Sequence, residues 1–346
     1  MARRDLRVVV VGAGIMGASI AWHLARTGAR VTVLEKRSAP AGGVTHWSFG
    51  WVGTGGSLPS GDASYFALET EAVAEFARLQ SQLGSLPIAA RGALVWLDTE
   101  EETSALIAEQ QAAGVRMEVL SSAQVAERVP RLAAPPALAA WAVDDFAVEP
   151  VDLTLQLLAG AQAAGAEVVC GTSVDAIETR GDRVVGVRAG ENRIAADTVV
   201  LASGASALPL AAALGISLPI REEPAVLMRF AAEPGLLHHL LCGRGLELRP
   251  GLSGGLVSAA MFPDEGESGL ARLAERTIEK IAGQFTPVPD LSLLSVNAAY
   301  RPLTGDGSPL RKFLPGIAGL YTVVAHPGVI LAPYLGRLAA QDIVEA

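Results

Sequence analysis

The sequence opens with an apolar run, a glycine-containing segment and a second apolar run. Residues 8–11 are four consecutive valines, a pattern typical of a parallel strand that is buried on both faces. A helix is predicted from about Gly14 until Gly28 ends it, and residues 30–34 form a second apolar strand. This pattern predicts a strand–helix–strand unit.

Beyond residue 60, helical and strand-like patterns alternate along the chain. Helical spacing of apolar positions predicts helices over residues 63–83, 100–113, 121–128, 151–164, 268–285 and 334–344. Apolar or alternating runs predict strands over residues 88–97, 116–120, 167–170, 174–180, 183–189, 196–202, 223–230, 254–261, 291–300 and 320–324. Residues 133–140 are interpreted as a Pro/Ala turn region, and residues 231–253 as a polar turn.

The order of these elements predicts two domains that are threaded through each other. Parallel-sheet elements interleave with blocks of antiparallel strands. The expected class is therefore α/β, with a Rossmann-like, doubly wound, mostly parallel sheet and an α+β domain built on an antiparallel sheet. We expect residues 1–86, 141–220 and 297–346 in the first domain, and residues 87–140 and 221–296 in the second.

Composition and charge narrow the class of protein. Half of the 346 residues are hydrophobic and 18% are charged, which indicates a globular chain. The net charge of −9 and the scattered arginines argue against nucleic acid as the main partner. Cys170 and Cys242 lie far apart without metal-binding spacing and are interpreted as buried thiols. No uninterrupted apolar stretch is long enough to span a membrane, and we expect a cytoplasmic location.

The glycines between the first two predicted strands are candidates for binding a dinucleotide. Gly12, Gly14 and Gly17 give the pattern G-x-G-x-x-G. This pattern permits a tight turn, close approach of the backbone to a pyrophosphate, and close packing of helix on strand. Glu35 follows the second strand, where an acid accepts hydrogen bonds from a ribose. The acid indicates NAD or FAD rather than NADP, without choosing between the two.

Residues 38–59 form a connection that is too long for an ordinary loop, and we interpret it as functional. Its Gly, Ser and Thr residues let backbone amides approach a cofactor. Trp47, Phe49 and Trp51 either line a flat ring or fill the core, and the sequence leaves both alternatives open.

Four segments along the chain occur in a recognisable order. They are the first glycine unit, residues 42–45 (GGVT), residues 196–205 (ADTVVLASGA), and a closing block with Arg301-Pro302 and residues 326–333 (HPGVILAP). Together they resemble the flavoprotein family of D-amino acid oxidase, glycine oxidase and sarcosine oxidase over nearly the whole chain. The resemblance implies an FAD-binding first domain and a substrate-binding second domain. It also implies oxidation of a C–N bond next to a carboxylate, with a hydride passing to flavin N5 and the imine hydrolysing in water.

The resemblance implies cofactor contacts residue by residue. It places Gly12, Gly14 and Gly17 at the pyrophosphate, with Glu35 on the ribose. Ile15 and Met16 would donate backbone amides to the pyrophosphate. The other implied contacts are Lys36 and Val174 near the adenosine, Val44, Thr45, Phe49 and Gly50 at the flavin, Gly204 at a second glycine turn, and Gly328, Val329, Ile330 and Leu331 beside the flavin pyrimidine.

Arg301 and His326 are the catalytic candidates. In the family, an arginine in the Arg-Pro setting binds the substrate carboxylate through two parallel hydrogen bonds, a geometry that suits guanidinium better than lysine. The alternative for Arg301 is a surface ion pair or a contact to the following glycine turn. His326 either bonds the flavin or substrate, or is structural. The further pocket candidates are Trp51, Tyr300, Arg91 and Arg249, the two arginines as reserve carboxylate ligands.

The chain also departs from its relatives. Glycine oxidase-like proteins carry a longer loop with a second arginine where this chain has Pro327, which argues against glycine as the substrate. Cys242 lies in the predicted substrate domain, away from the cysteine that binds the flavin in sarcosine oxidase relatives. His46 is offset by one position from the histidine that binds it in the dimethylglycine dehydrogenase type, which leaves a covalent link open as the alternative to the expected non-covalent FAD.

Three alternative functions belong to other classes of protein. A nicotinamide dehydrogenase would share the first 35 residues but not the closing block. A disulfide-reductase-like flavoprotein would need a second dinucleotide fingerprint, which residues 251–255 (GLSGG) do not provide. A flavin-carrying subunit of a larger amine or opine dehydrogenase complex would turn over poorly alone. The substrate side chain, its stereochemistry, the electron acceptor (oxygen or another) and a homo-oligomeric or partner-bound state stay open.

Overall fold

A computed structural model describes residues 6–346, which form eight α-helices and eighteen strands. The helices are α1 (Ile15–Ala25), α2 (Ala63–Leu83), α3 (Glu100–Ala112), α4 (Ser122–Arg128), α5 (Pro150–Ala163), α6 (Ala207–Ala212), α7 (Leu270–Gln284) and α8 (Gly328–Glu345). The strands are β1 (Arg7–Val11), β2 (Arg30–Glu35), β3 (Trp51–Val52), β4 (Ile88–Val95), β5 (Met117–Ser121), β6 (Leu138–Val148), β7 (Glu167–Cys170), β8 (Ala176–Arg180), β9 (Arg183–Ala189), β10 (Asn192–Ala195), β11 (Thr198–Leu201), β12 (Ile220–Ala232), β13 (Leu240–Gly243), β14 (Leu246–Pro250), β15 (Leu256–Met261), β16 (Leu291–Thr304), β17 (Leu310–Phe313) and β18 (Leu320–Val324).

A six-stranded sheet contains the first strand–helix–strand unit, in the order β17-β18-β11-β1-β2-β7. Its neighbouring strands are parallel except for β17 against β18. Val8 and Val10 pack with helices α1, α5 and α8, whereas Val9 and Val11 pack with α6 and the small sheet β10-β9-β8. Because both faces of β1 are covered, its sequence is an uninterrupted apolar run.

A nine-stranded sheet has the order β16-β12-β15-β14-β13-β4-β6-β3, with β5 paired to β6. Its pairs are antiparallel except for β13 against β4. One face packs against α7 through apolar side chains such as Met228, Phe230 and Leu248. Arginines on the opposite face contact the connection between β2 and β3, as described below.

The fold class is confirmed, while several elements differ from their predicted bounds. The helix Ala63–Leu83 occurs as predicted. The turn prediction for residues 133–140 was wrong at its end, because β6 begins at Leu138. The polar turn at residues 231–253 was also wrong, since it contains β13 and β14. The last helix begins at Gly328 rather than residue 334, and it accommodates Pro333 in its interior.

The two sheets do not follow the expected domain boundaries at every point. Residues 51–52 and 297–304, expected in the first domain, pair within the nine-stranded sheet, and β6 crosses the boundary expected at residue 140. The division into domains stays a prediction. Within residues 6–346, no helix combines the length and apolar character needed to cross a membrane.

Candidate functional site

The carboxyl ends of five parallel strands bring most of the predicted cofactor residues to one edge of the six-stranded sheet. His326 follows β18, Gly204 follows β11, Gly12 follows β1, Glu35 ends β2, and Val174 follows β7. The chain passes from β1 to β2 and β7 on one side, and later returns to place β11 and β18 on the other side of β1. Such a change of direction is where open α/β sheets bind ligands.

The first glycine turn has no room for side chains. Gly12 has a φ of +104°, and a Cβ there would lie 2.9 Å from the Cα of Ser203. A Cβ on Gly17 would lie 2.0 Å from the carbonyl oxygen of Gly12, so α1 packs directly against the turn. A Cβ on Gly14 would lie 3.2 Å from Oγ1 of Thr45. The three glycines thus allow β1, α1 and the connection after β2 to approach one another closely.

Glu35 is buried and organises the backbone at the end of β2. Its Oε2 accepts from the Ala13 N–H over 2.9 Å, and its Oε1 accepts from the Arg37 N–H over 2.9 Å. Its carbonyl accepts from the N–H of Thr172 in the turn that leads to Val174. These bonds hold the carboxylate beside the glycine turn, at the place predicted for a ribose.

Two other predicted cofactor residues bridge neighbouring segments of this edge. The Lys36 ammonium donates to the Ser206 hydroxyl over 3.1 Å, which links the ends of β2 and β11. The Ile15 N–H, predicted to face a pyrophosphate, donates to Oγ1 of Thr45 over 3.1 Å. Thr45 belongs to a short 3-10 helix, Val44–Trp47. The connection after β2 therefore lies directly on the N-terminus of α1.

Two arginines of the nine-stranded sheet hold this connection by its carbonyl groups. Arg229 donates to the His46 carbonyl over 2.6 Å, with its guanidinium 5.0 Å from the centre of a Trp47 ring. Arg249 donates to the Phe49 carbonyl and is fully buried. These contacts fix residues 46–49 against the sheet.

Arg249 is therefore committed to structure and is not placed to bind a substrate carboxylate. Besides the Phe49 carbonyl, its guanidinium bonds both carboxylate oxygens of Glu149, over 2.8 and 3.4 Å. Burial alone would raise the pKa of Glu149, but the hydrogen bond and charge of Arg249 hold it below its ordinary value. The buried Arg249 and the half-buried Glu149 therefore lie beneath the connection as an ion pair.

Arg301 lies on the same face of the nine-stranded sheet as Arg229. The register pairs Arg229 with Ser295 and Glu223 with Arg301, and no irregularity separates these two pairs. Because side chains alternate along strands, residues 223 and 229 of β12 point to one face, together with residue 301 of β16. The Arg301 Nη2 donates to Oε1 of Glu223 over 2.6 Å. Sequence reasoning missed Glu223, although a charged residue in a predicted strand is a signal.

His326 completes the surroundings of Arg301. Its Nε2 lies 3.4 Å from Nη1 of Arg301. Burial, and then the charge of Arg301, lower the pKa of His326 to about 4, so the imidazole is neutral at neutral pH. A neutral ring that accepts at Nε2 carries its proton on Nδ1. The Tyr65 hydroxyl donates to the His326 carbonyl over 3.0 Å, which ties the start of α2 to this turn.

Gly328 begins α8 directly after the His326 turn, with Val329, Ile330 and Leu331 buried in its first turn. That first turn contains no acidic residue, and Pro327 at the N-cap contributes no side-chain hydrogen bond. A helix N-terminus of this kind favours negative charge nearby. The four residues predicted to face the flavin pyrimidine thus stand next to Arg301 and His326.

The structure does not bring the other pocket candidates to Arg301. The Trp51 indole donates to Asp145 over 2.7 Å, and burial raises the pKa of that carboxyl to about 6. Tyr300 is exposed on the opposite face of β16, where its hydroxyl donates to Glu267. The Arg91 side chain is exposed. Within residues 6–346, no group of three or more His, Cys, Asp or Glu residues could hold a metal ion.

The edge fits the extended dinucleotide that the sequence implies. A Cβ at Gly12 or Gly17 would meet the protein's own backbone, so only backbone packs at this turn. The Ser203 hydroxyl is buried at the same turn and has no hydrogen-bond partner among the described residues. Gly14, the N-cap of α1, supplies no side-chain acceptor, and the first turn of α1 contains no acid. A buried unpaired hydroxyl beside a helix N-terminus that contains no acidic residue suits a pyrophosphate.

Comparisons with known proteins agree with this geometry. A family model described as FAD dependent oxidoreductase (DAO) matches residues 7–342. Glycine oxidase of Pseudomonas aeruginosa is 28% identical over 96% of this chain and 93% of its own length. One of the subunits of the opine oxidase of Rhizobium meliloti is 26% identical over 98% of this chain and 93% of its own length. The crystal structure of glycine oxidase from Geobacillus kaustophilus superposes with a TM-score of 0.83 and 24% identity, covering 99% of this chain and 95% of that one.

Proposed function

The chain belongs to the DAO family of FAD-dependent oxidoreductases, and from this premise we propose that it oxidises the C–N bond of an amino acid or an N-substituted amino acid whose carboxylate Arg301 binds. The observation that carries the proposal is the position of Arg301. Its guanidinium lies beside the neutral His326 and the N-terminus of α8, on the sheet face that also contacts residues 46–49.

FAD, when bound, supplies a two-electron acceptor that takes a hydride from the carbon next to the amine. The residues that would hold its pyrophosphate are the glycines of the first turn, with Glu35 at the ribose and Val174 at the adenine. Residues 44–50 and 328–331 would contact the flavin. Glu35, Thr45 and Ser203 are already placed around the glycine turn.

The role of Arg301 is to fix the substrate against the reacting centre. A guanidinium binds a carboxylate through two parallel N–H···O bonds, which set both distance and orientation. Holding the α-carbon in one orientation accounts for a large part of the rate. His326 is neutral, so it adds no second positive charge beside the substrate amine and presents its Nδ1–H as a hydrogen-bond donor.

A second candidate function is favoured by one comparison. The Rhizobium meliloti relative is named as one component of an opine oxidase, and it is similar to nearly the whole of this chain. A flavin-carrying component of such a complex would hold FAD at the same edge and transfer electrons only with its partner present. When this component is studied alone, substrate would bleach its flavin bands slowly or incompletely.

The first experiment is an anaerobic visible spectrum of the purified protein before and after addition of a substrate panel. The panel holds D- and L-amino acids, N-methyl amino acids, cyclic imino acids and opines. We expect the flavin bands to bleach with one class. Bleaching with none favours the second candidate function, and absence of flavin after addition of FAD contradicts the proposal.

The variant Arg301→Lys tests the carboxylate contact. Lysine keeps the charge but cannot form the two parallel bonds, so the KM of carboxylate substrates should rise at least about tenfold. The same amine without its carboxylate should be oxidised equally by both proteins. An unchanged KM for every carboxylate substrate would remove Arg301 from the binding site.

A further inference from the structure

We propose that Glu223 is a positioning residue, which holds the guanidinium of Arg301 so that one of its edges stays open to the substrate carboxylate. The inference rests on the function proposed above, because it takes Arg301 as the carboxylate ligand. It adds a residue that touches neither substrate nor cofactor and acts through Arg301.

The hydrogen bonds of Arg301 divide its guanidinium into an occupied edge and an open edge. The Nε–Nη2 edge faces Glu223: Nη2 donates to Oε1 over 2.6 Å, and Nε donates to the backbone carbonyl over 3.5 Å. Nη1 is 3.4 Å from Nε2 of His326. The end-on edge between Nη1 and Nη2 is therefore not used by Glu223, and its two parallel N–H groups have the geometry that matches a carboxylate.

The sheet fixes the position of Glu223. Glu223 and Arg301 lie directly opposite each other on β12 and β16, with their side chains on the same face. Oε2 of Glu223 accepts from Arg221 over 2.6 Å, so both carboxylate oxygens are bonded. The hydrogen bond from Arg221, together with the charge of Arg301, holds the pKa of Glu223 below its ordinary value. Glu223 is therefore an ionised and oriented acceptor at neutral pH.

If Glu223 holds Arg301 in place before the substrate binds, we can predict which kinetic constant depends on Glu223. A long arginine side chain loses rotamer freedom when it binds a ligand, and this loss weakens the binding. Because Glu223 restricts the Arg301 side chain before the substrate binds, less rotamer freedom is lost on binding and the substrate affinity is higher. Glu223 makes no contact with the reacting amine, so the chemical step should change little. The expected signature is a change in KM with a nearly constant kcat, for carboxylate substrates alone.

The test measures carboxylate binding to the FAD-loaded protein and its variants. Butyrate, which has no amine to oxidise, is titrated and its Kd is read from the visible flavin spectrum and from calorimetry. We expect Glu223→Gln to weaken butyrate binding roughly two- to fivefold, the size of one partly exposed charge interaction. The control is Glu222→Gln, which removes the same charge from the neighbouring exposed residue on the other face. Its Kd should match that of the wild type.

Turnover provides the second measurement. With the best amino acid of the panel, Glu223→Gln should raise KM by the same factor and change kcat by less than about threefold. The decarboxylated amine should be unaffected. A structural role would instead reduce flavin content and affect both substrates. In the background of Arg301→Lys, the effect of Glu223→Gln on butyrate binding should disappear, because no guanidinium remains to be positioned.

The outcomes separate this inference from the proposed function. If Arg301→Lys weakens butyrate binding but Glu223→Gln does not, the positioning role is overturned and the carboxylate ligand stands. If Arg301→Lys has no effect, the proposed function loses its carboxylate ligand and the inference fails with it. If Glu223→Gln loses its flavin, Glu223→Asp replaces it, and butyrate binding should fall between that of wild type and Arg301→Lys. If Glu223→Asp then binds butyrate as tightly as the wild type does, the positioning role of Glu223 is also overturned.

Discussion

Arginines of the nine-stranded sheet have different roles, which depend on what each guanidinium contacts. Arg249 is fully buried against Glu149 and the Phe49 carbonyl, whereas Arg91 is exposed at a bulge of β4. The sequence presented both as reserve carboxylate ligands, since both stand on or near strands of this sheet. Only the tertiary structure shows that the charge of Arg249 is already paired with the Glu149 carboxylate.

We therefore expect Arg249→Met to destabilise the protein by about 2–4 kcal/mol, because it leaves the half-buried Glu149 without the arginine that bonds both its carboxylate oxygens. The control, Arg91→Met, should stay within about 0.5 kcal/mol of wild type. The measurement is urea unfolding of the FAD-loaded proteins.

The loss of unfolding free energy in Arg249→Met, relative to the wild type, should shrink as the pH falls from 7 towards 4. The Glu149 carboxyl, whose folded pKa is depressed by Arg249 in the wild type, becomes protonated in the variant and loses its unpaired charge. Equal effects of both substitutions would contradict the assignment.

Among single residues, the sequence predicted those whose chemistry is local and missed those whose role depends on a partner that is distant along the chain. Glu35 follows the second strand at a fixed spacing from the glycines, so its place at the turn was predictable. Glu223 and Asp145 gain their roles from Arg301 and Trp51, which lie 78 and 94 residues away along the chain. A charged residue in a predicted strand is a signal that a partner exists, but a single sequence does not identify that partner.

The crossing of α1 and α8 shows how two helices bring the ends of the chain together. A Cβ on Gly336 would lie 2.2 Å from Oγ and 2.8 Å from Cβ of Ser19. The Ser19 hydroxyl donates to the Ala332 carbonyl over 2.7 Å. This close approach keeps the N-terminus of α8 beside the first glycine turn.

The substitution Gly336→Ala should therefore destabilise the protein by about 1–3 kcal/mol, as overpacking of a tight interface does. Gly283→Ala provides a matched control within α7, because a Cβ at Gly283 has no heavy atom within 4 Å. It should be neutral or should stabilise the protein by up to about 1 kcal/mol, since alanine favours the helix. Thermal unfolding of the two variants checks this difference. A fully stable Gly336→Ala protein would show that the helices can move apart.

Among the helices and strands, those with a clear helical period or within a long apolar run were predictable, and several short strands were not. The helix α2 has a clear period and the strand β11 lies within an apolar run, and the positions of both were predicted closely. β10, β13 and β17 contain four residues each, too few to establish a period. The start of α8 was missed because a proline at residue 333 is typical of a helix boundary, whereas this helix contains it.

Both sheets contribute residues to the proposed cofactor site. The six-stranded sheet provides the glycine turn, Glu35 and the N-terminus of α8. The nine-stranded sheet provides Arg301, and its Arg229 and Arg249 hold residues 46–49. A ligand along this edge contacts segments from the start, middle and end of the chain. Binding of FAD should therefore stabilise the whole molecule and not one part of it.

The variant Gly14→Val tests whether FAD bound at the first glycine turn stabilises the whole molecule. A side chain at residue 14 would meet Oγ1 of Thr45, which is bonded to the first amide of α1, and would occupy the approach to the pyrophosphate. We expect this protein to lose its flavin absorbance, and its unfolding temperature should not respond to added FAD. The wild type and Gly283→Ala should gain about 2.7 kcal/mol at an FAD concentration 100 times the Kd. Calorimetry should show a single transition for the loaded wild type. A yellow, fully loaded Gly14→Val protein would move the cofactor away from the first glycine turn and overturn the site on which the proposed chemistry depends.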